Sequence, residues 1–82
     1  MANDQTISFS LQDEEERQMK RIITEVYDAL RIKGYNPINQ LVGYILSEDP
    51  TYITTYNNAR SLIKDLDRDK FLQVVVRSYL DN

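Results

Sequence analysis

The chain contains neither cysteine nor histidine. The first absence excludes disulfides and thiolate chemistry, and it leaves the redox compartment unmarked. Together the two absences remove the usual zinc and transition-metal ligand sets and the Ser-His and Cys-His nucleophile pairs, leaving only metal-free carboxylate chemistry open to an enzyme. No apolar run approaches the roughly 20 residues needed to span a membrane. The acidic start lacks the basic and apolar regions of a signal peptide, so a cytoplasmic location is expected. No internal repeat or low-complexity tract breaks the 82 residues. They read as one domain, near the size at which a single core supplies little net stability and a partner subunit would add to it.

Charge is unevenly spread over this chain of net charge −3. Residues 1–16 hold five acidic and no basic residues, whereas the remainder holds ten basic against eight acidic. An acidic segment on a weakly basic body can attract that body or serve as a contact surface. In residues 3–11, NDQTISFSL, the apolar Ile7, Phe9 and Leu11 alternate with Thr6, Ser8 and Ser10. That period of two reads as an extended segment, either an edge strand or a flexible arm, over residues 1–13.

The helical domain is expected over 14–82. Met19, Ile22, Ile23, Val26 and Leu30 form an apolar stripe that predicts a helix from about 14 to 33. Asp13 to Glu16 suit its positive end, Arg31 and Lys33 its negative end, and Gly34 its left-handed C-terminus. Asn36 and Pro37 form a cap-then-proline start for a second helix bearing Ile38, Leu41, Val42, Ile45 and Leu46. Gly43 inside that helix costs about 1 kcal/mol relative to Ala, which points to close approach of a second backbone. Asp49 and Pro50 repeat the cap pattern over one short turn. A third helix is predicted with Thr54 or Thr55 as cap and Ala59, Leu62, Ile63 and Leu66 buried; Asp67 caps a fourth. Phe71, Leu72, Val75, Val76, Tyr79 and Leu80 give that last helix an apolar face wider than one contact needs, so part of it is expected to meet another subunit. The fold class is all-α: a compact bundle of about four helices behind an N-terminal arm.

The segment KGYNPINQLVGYILSEDPTYITTYNNAR, residues 33–60, resembles the signature of the IreB family of small regulatory phosphoproteins of Gram-positive bacteria. GYNPINQ, VGY, DP.Y and NNAR stand in the family's order and spacing, and the resemblance spans essentially the whole chain. It implies a cytoplasmic, all-helical homodimer without enzymatic activity, cofactor or metal. Its implied partners are a transmembrane Ser/Thr kinase with extracellular PASTA repeats, a phosphatase, and a protein effector. The implied output is control of peptidoglycan precursor synthesis and antibiotic tolerance through regulated proteolysis of an early pathway enzyme. The family's modified threonine lies in a motif resembling Asp4-Gln5-Thr6, which makes Thr6 the phosphoacceptor. Some relatives carry a second threonine where this chain has Asn3.

Each of these residues also has an ordinary reading. A solvated N-terminal threonine is the common case for Thr6, and Ser8 and Ser10 fall outside the motif. Arg60, Lys64 and Arg68 recur every four residues, a spacing that suits a strip able to receive phosphate or an acidic partner. Asp65, Asp67 and Asp69 would equally make it a neutralised solvent face. Thr55 stands where many relatives are basic. Tyr35, Tyr44, Tyr52 and Tyr56 read as core before interface. Gly43, Tyr79 and Leu80 are the candidates for a dimer interface. The alternative function is a small helical DNA-binding protein, since short connected helices can form a helix-turn-helix. Against it stands the lack of a basic stripe; no nucleic-acid or membrane partner is expected.

Overall fold

Met19, Ile22, Val26, Ala29 and Leu30 are the buried residues of the first helix, and their spacing of three, four, three and one is the helical stripe expected of them. The computed structural model describes residues 2–81; within the N-terminal part of α1 its described side chains are Leu11 and those from Asp13 onward. The side chains of Thr6, Ser8 and Ser10 therefore lie outside the described residues.

The first element, α1, spans Ala2–Ile32. The segment expected to be extended is thus helical in its backbone, and the start near residue 14 is corrected by twelve residues. Helix propagation supplies the reason: once the amphipathic stretch is nucleated, each further residue adds a hydrogen bond for one residue fixed, so a polar segment can follow it. The helix ends where expected. Gly34 takes φ +86, its N–H donates to Arg31 O at 3.0 Å, and the Tyr35 N–H donates to Leu30 O at 3.0 Å. These two bonds are a Schellman cap that satisfies carbonyls left open by the last turn.

Helix α2 spans Pro37–Ser47, with the Asn36 side chain accepting from the Asn39 N–H at 3.1 Å and Pro37 in the first turn. Leu41 and Tyr44 are buried, whereas Ile38, Val42 and Leu46 face outward. A single apolar stripe in sequence is therefore two faces in space. The helix closes on Glu48, whose φ of 61 is left-handed and whose N–H donates to Tyr44 O at 2.7 Å. A 3-10 turn follows at Pro50–Tyr52. Asp49 accepts from the Thr51 N–H at 3.0 Å and from Thr51 Oγ1 at 2.7 Å. Those bonds from Thr51 hold the Asp49 carboxyl below its ordinary pKa. Ile53, fully buried, plugs the core behind this turn.

The third helix is shorter than its pattern. Asn57 and Asn58 both take left-handed φ, 55 and 61, so Tyr56–Asn58 forms a separate 3-10 turn and α3 is confined to Ala59–Ile63. Asparagine tolerates this conformation better than most side chains. Ala59, Ile63 and Leu66 are nevertheless buried as the spacing predicts. Helix α4 spans Arg68–Asp81, with the Lys70 N–H donating to Asp67 Oδ1 at 3.1 Å as its cap. Four helices, with no strand among the described residues, enclose one core in which Val26, Leu30, Ile53 and Ile63 are the fully buried large side chains. Each contributes about 1.5–3 kcal/mol by leaving water.

Candidate interaction surface

None of the described residues of α4 is buried. Phe71 and Val74 are half-buried against the core, while Leu72, Val75, Val76, Tyr79 and Leu80 are exposed, the last two at 82% and 75%. A 14-residue helix gains little from propensity alone. Phe71 and Val74 hold α4 against the core, and polar ties in its first turn add to them. Arg68 Nη1 donates to Ile45 O at 2.6 Å, and Nη2 pairs with Glu48 at 3.0 Å, tying α4 to the end of α2. Lys70 Nζ pairs with Glu15 Oε2 at 2.8 Å, tying it to α1. The hydrogen bond and charge of Glu15 hold the Lys70 ammonium above its ordinary pKa.

Between α2 and α4 runs a groove of about 330 Å³, lined by carbon from Ile23, Leu41, Ile45, Phe71, Leu72 and Val75, among others. Ile38, Val42 and Leu46, the last 79% exposed, border it from α2. Contiguous exposed carbon of this kind marks a protein-contact surface more often than free surface. The α4 wall of the groove, with Leu72 and Val75, belongs to the face expected to meet another subunit; its α2 wall is not legible in the sequence, because Ile38, Val42 and Leu46 read there as part of the core stripe, although α2 is apolar on more than one face.

The expected basic strip is divided. Arg60 Nε donates to Ile53 O at 2.7 Å from a half-buried position, Arg68 binds the end of α2, and Lys64 is exposed just beyond α3. The break between α3 and α4 at Leu66 and Asp67 separates what a continuous helix would align. Gly43 is closely approached, but by a side chain of the same chain: a Cβ there would overlap the Tyr52 ring. Its expected place at a second backbone is corrected accordingly. Of the four tyrosines only Tyr44 is core; Tyr35, Tyr52 and Tyr56 are exposed, and Lys33 stands 5.5 Å from the Tyr56 ring centre. Thr55 is exposed ahead of the second 3-10 turn.

Among the described residues no group of three acidic side chains could hold a metal ion. No helix there is long and apolar enough to cross a membrane.

Compared with known proteins, the chain matches the family model for the IreB regulatory phosphoprotein over residues 4–81. It is 52% identical over 82 residues to a protein named UPF0297 protein from Ruminiclostridium cellulolyticum, covering 100% of this chain and 93% of that protein. A match across nearly the whole length, on an all-helical fold with an uncovered apolar face, places the chain in the IreB family of regulatory phosphoproteins.

Proposed function

We propose that the protein is a cytoplasmic phosphorylation-controlled adaptor, without enzymatic activity, acting downstream of a PASTA-type Ser/Thr kinase and reset by a partner phosphatase. Thr6 is the phosphoacceptor. The unmodified protein binds an effector of peptidoglycan precursor synthesis or of its regulated proteolysis, and phosphate on Thr6 disrupts or redirects that binding. Antibiotic tolerance is the cellular output. The observation that carries this reading is the family match, which takes in Asp4, Gln5 and Thr6.

The protein acts as a homodimer. Support comes from the apolar groove between α2 and α4 and from exposed Tyr79 and Leu80, carbon that a second subunit would remove from water. Gly43 contributes there indirectly, by seating Tyr52 on α2. Arg60 and Arg68 serve chiefly as ties to main-chain carbonyls, so Lys64 is the member of the predicted trio best placed to meet an acidic partner.

Phosphopeptide mapping after incubation with the PASTA kinase from the same source tests the reading, with Thr6→Ala alongside. Modification at Thr6 that is lost in the variant supports it. Modification elsewhere, or none, removes Thr6 as the input.

A further inference from the structure

We infer that two copies of this chain pair by laying α4 antiparallel on α4 of the partner, with Asp69 of each copy against Arg77 of the other. The inference rests on the homodimer reading above, and it names the face and the register that reading leaves open.

The face is set by the side of α4 already in use. Phe71 and Val74 turn toward the core. On the opposite side of the helix, at about 100° per residue, stand Asp69, Val76 and Leu80, with Leu72 and Gln73 to either side of them, all exposed. Asp69, Leu72, Gln73, Val76 and Arg77 line a hollow of about 370 Å³ to which no other element contributes. Leu72, Val76 and Leu80 recur every four residues, the spacing of a ridge that packs into the groove of another helix.

Charge selects the occupant. Asp69 and Arg77 lie about 12 Å apart along the helix, opposite in sign. The same face turned end for end sets each base against an acid, so the stripe is complementary to itself and a two-fold axis forms both pairs at once. Parallel pairing would instead set like charges together. Gln73 Nε2 donates to Asp69 Oδ2 at 3.0 Å, which holds the carboxylate on the flank that carries Arg77. Arg77 also borders the α1–α4 groove beside Glu15 and Glu16, but Glu15 is engaged by Lys70. Neither Asp69 nor Arg77 forms an ion pair among the described residues.

The register follows from the apolar row. With the axis midway between Leu72 and Val76, each Leu72 meets the partner's Val76. Asp69 then stands two residues, about 3 Å of rise, from the level of the partner's Arg77, a gap the arginine stem spans. The end of each α4 passes over the start of the other, which the bond from Arg68 to Ile45 O places beside the end of α2. Tyr79 and Leu80 are thereby carried onto the partner's Leu46. These three are the most exposed large apolar side chains among the described residues, and one contact covers them all. Antiparallel packing also brings opposite ends of the two helix dipoles together.

Sedimentation equilibrium of the full chain tests the pairing through charge reversal. Asp69→Arg alone and Arg77→Asp alone each create two like-charge contacts per dimer, and each should raise the dimer dissociation constant about tenfold or more. Mixing the two variants sets an all-basic face against an all-acidic one and restores both opposite-sign pairs. With one variant isotope-labelled, native mass spectrometry should show the mixed dimer in excess over either homodimer, at close to wild-type affinity. Damage confined to the start of α4 would not be rescued in this way. Reversals that leave the wild-type affinity unchanged, or weakened variants that mixing does not restore, overturn the α4 pairing and leave the homodimer reading standing. A monomeric wild type overturns both.

Discussion

Lys70 Nζ and Glu15 Oε2 lie 2.8 Å apart, joining α4 to α1 across 55 residues of sequence. Both side chains are about half exposed, so the pair steadies α4 locally without governing global stability. Lys70→Gln should increase hydrogen exchange in α4 and leave the melting temperature nearly unchanged. The pH dependence has a definite sign. Since Glu15 raises the Lys70 pKa above 10.5, the contribution is present in full below 10.5 and is lost as pH rises through the raised value. Exchange in wild type and Lys70→Gln, corrected for intrinsic rates, should differ at neutral pH and converge in strong alkali or high salt. A difference that persists under both conditions would show that Lys70 acts through packing.

Arg68 should be the costlier side chain to remove. It is only 30% exposed, and its bond to Ile45 O satisfies a carbonyl in the last turn of α2, where no intrahelical partner exists. Arg68→Met retains much of the stem but leaves that carbonyl and Glu48 unpaired. A loss of about 1–2 kcal/mol is expected in urea unfolding. Arg68→Lys should recover little, because an ammonium cannot reproduce the forked contact to Ile45 O and Glu48. Full recovery with Lys would reduce the role of Arg68 to charge.

Gly43→Ala sets two effects against each other. Alanine gains about 1 kcal/mol in a helix interior, but its Cβ would enter the space of the Tyr52 ring. Tyr52 is held by its turn, and Gln40 Nε2 donates to its carbonyl at 2.9 Å, so the ring can give way only by swinging outward. The single variant should be destabilised by about 1 kcal/mol, whereas in a Tyr52→Ala background the same change should stabilise. Equal effects in both backgrounds would show that the ring is not the obstacle.

Helix termini were legible because each is written in one or two residues: Asn36 with Pro37, Asp49 with Pro50, Asp67, and Gly34 at a left-handed turn. The core positions Met19, Ile22, Val26 and Leu30 were equally plain, since a period near 3.6 survives any neighbour. Three features were hidden. The left-handed Asn57 and Asn58 set off the start of the third helix as a separate turn and confine α3 to five residues, Ala59–Ile63, where propensity would continue a longer helix. The helical start at Ala2 runs against a local alternation. The outward face of α2 could not be told from its inward face by hydrophobicity, because both are apolar. Tertiary context decided all three.

Leu80→Asp separates fold from assembly. Leu80 is 75% exposed on a helix with no buried residue, so a carboxylate there meets water in the single subunit and should leave its stability within about 0.5 kcal/mol. Against a second subunit the same carboxylate would be desolvated without a partner, which costs several kcal/mol. Light scattering of the wild type should therefore give twice the chain mass, and of Leu80→Asp the single mass with an unchanged helical circular dichroism spectrum. Leu46→Asp, on the α2 wall of the groove, should act in the same way if α2 and α4 form one contact face. A dimer that survives both substitutions would place the subunit interface on another side of the molecule, and the α2–α4 groove would then be open to the effector within the dimer.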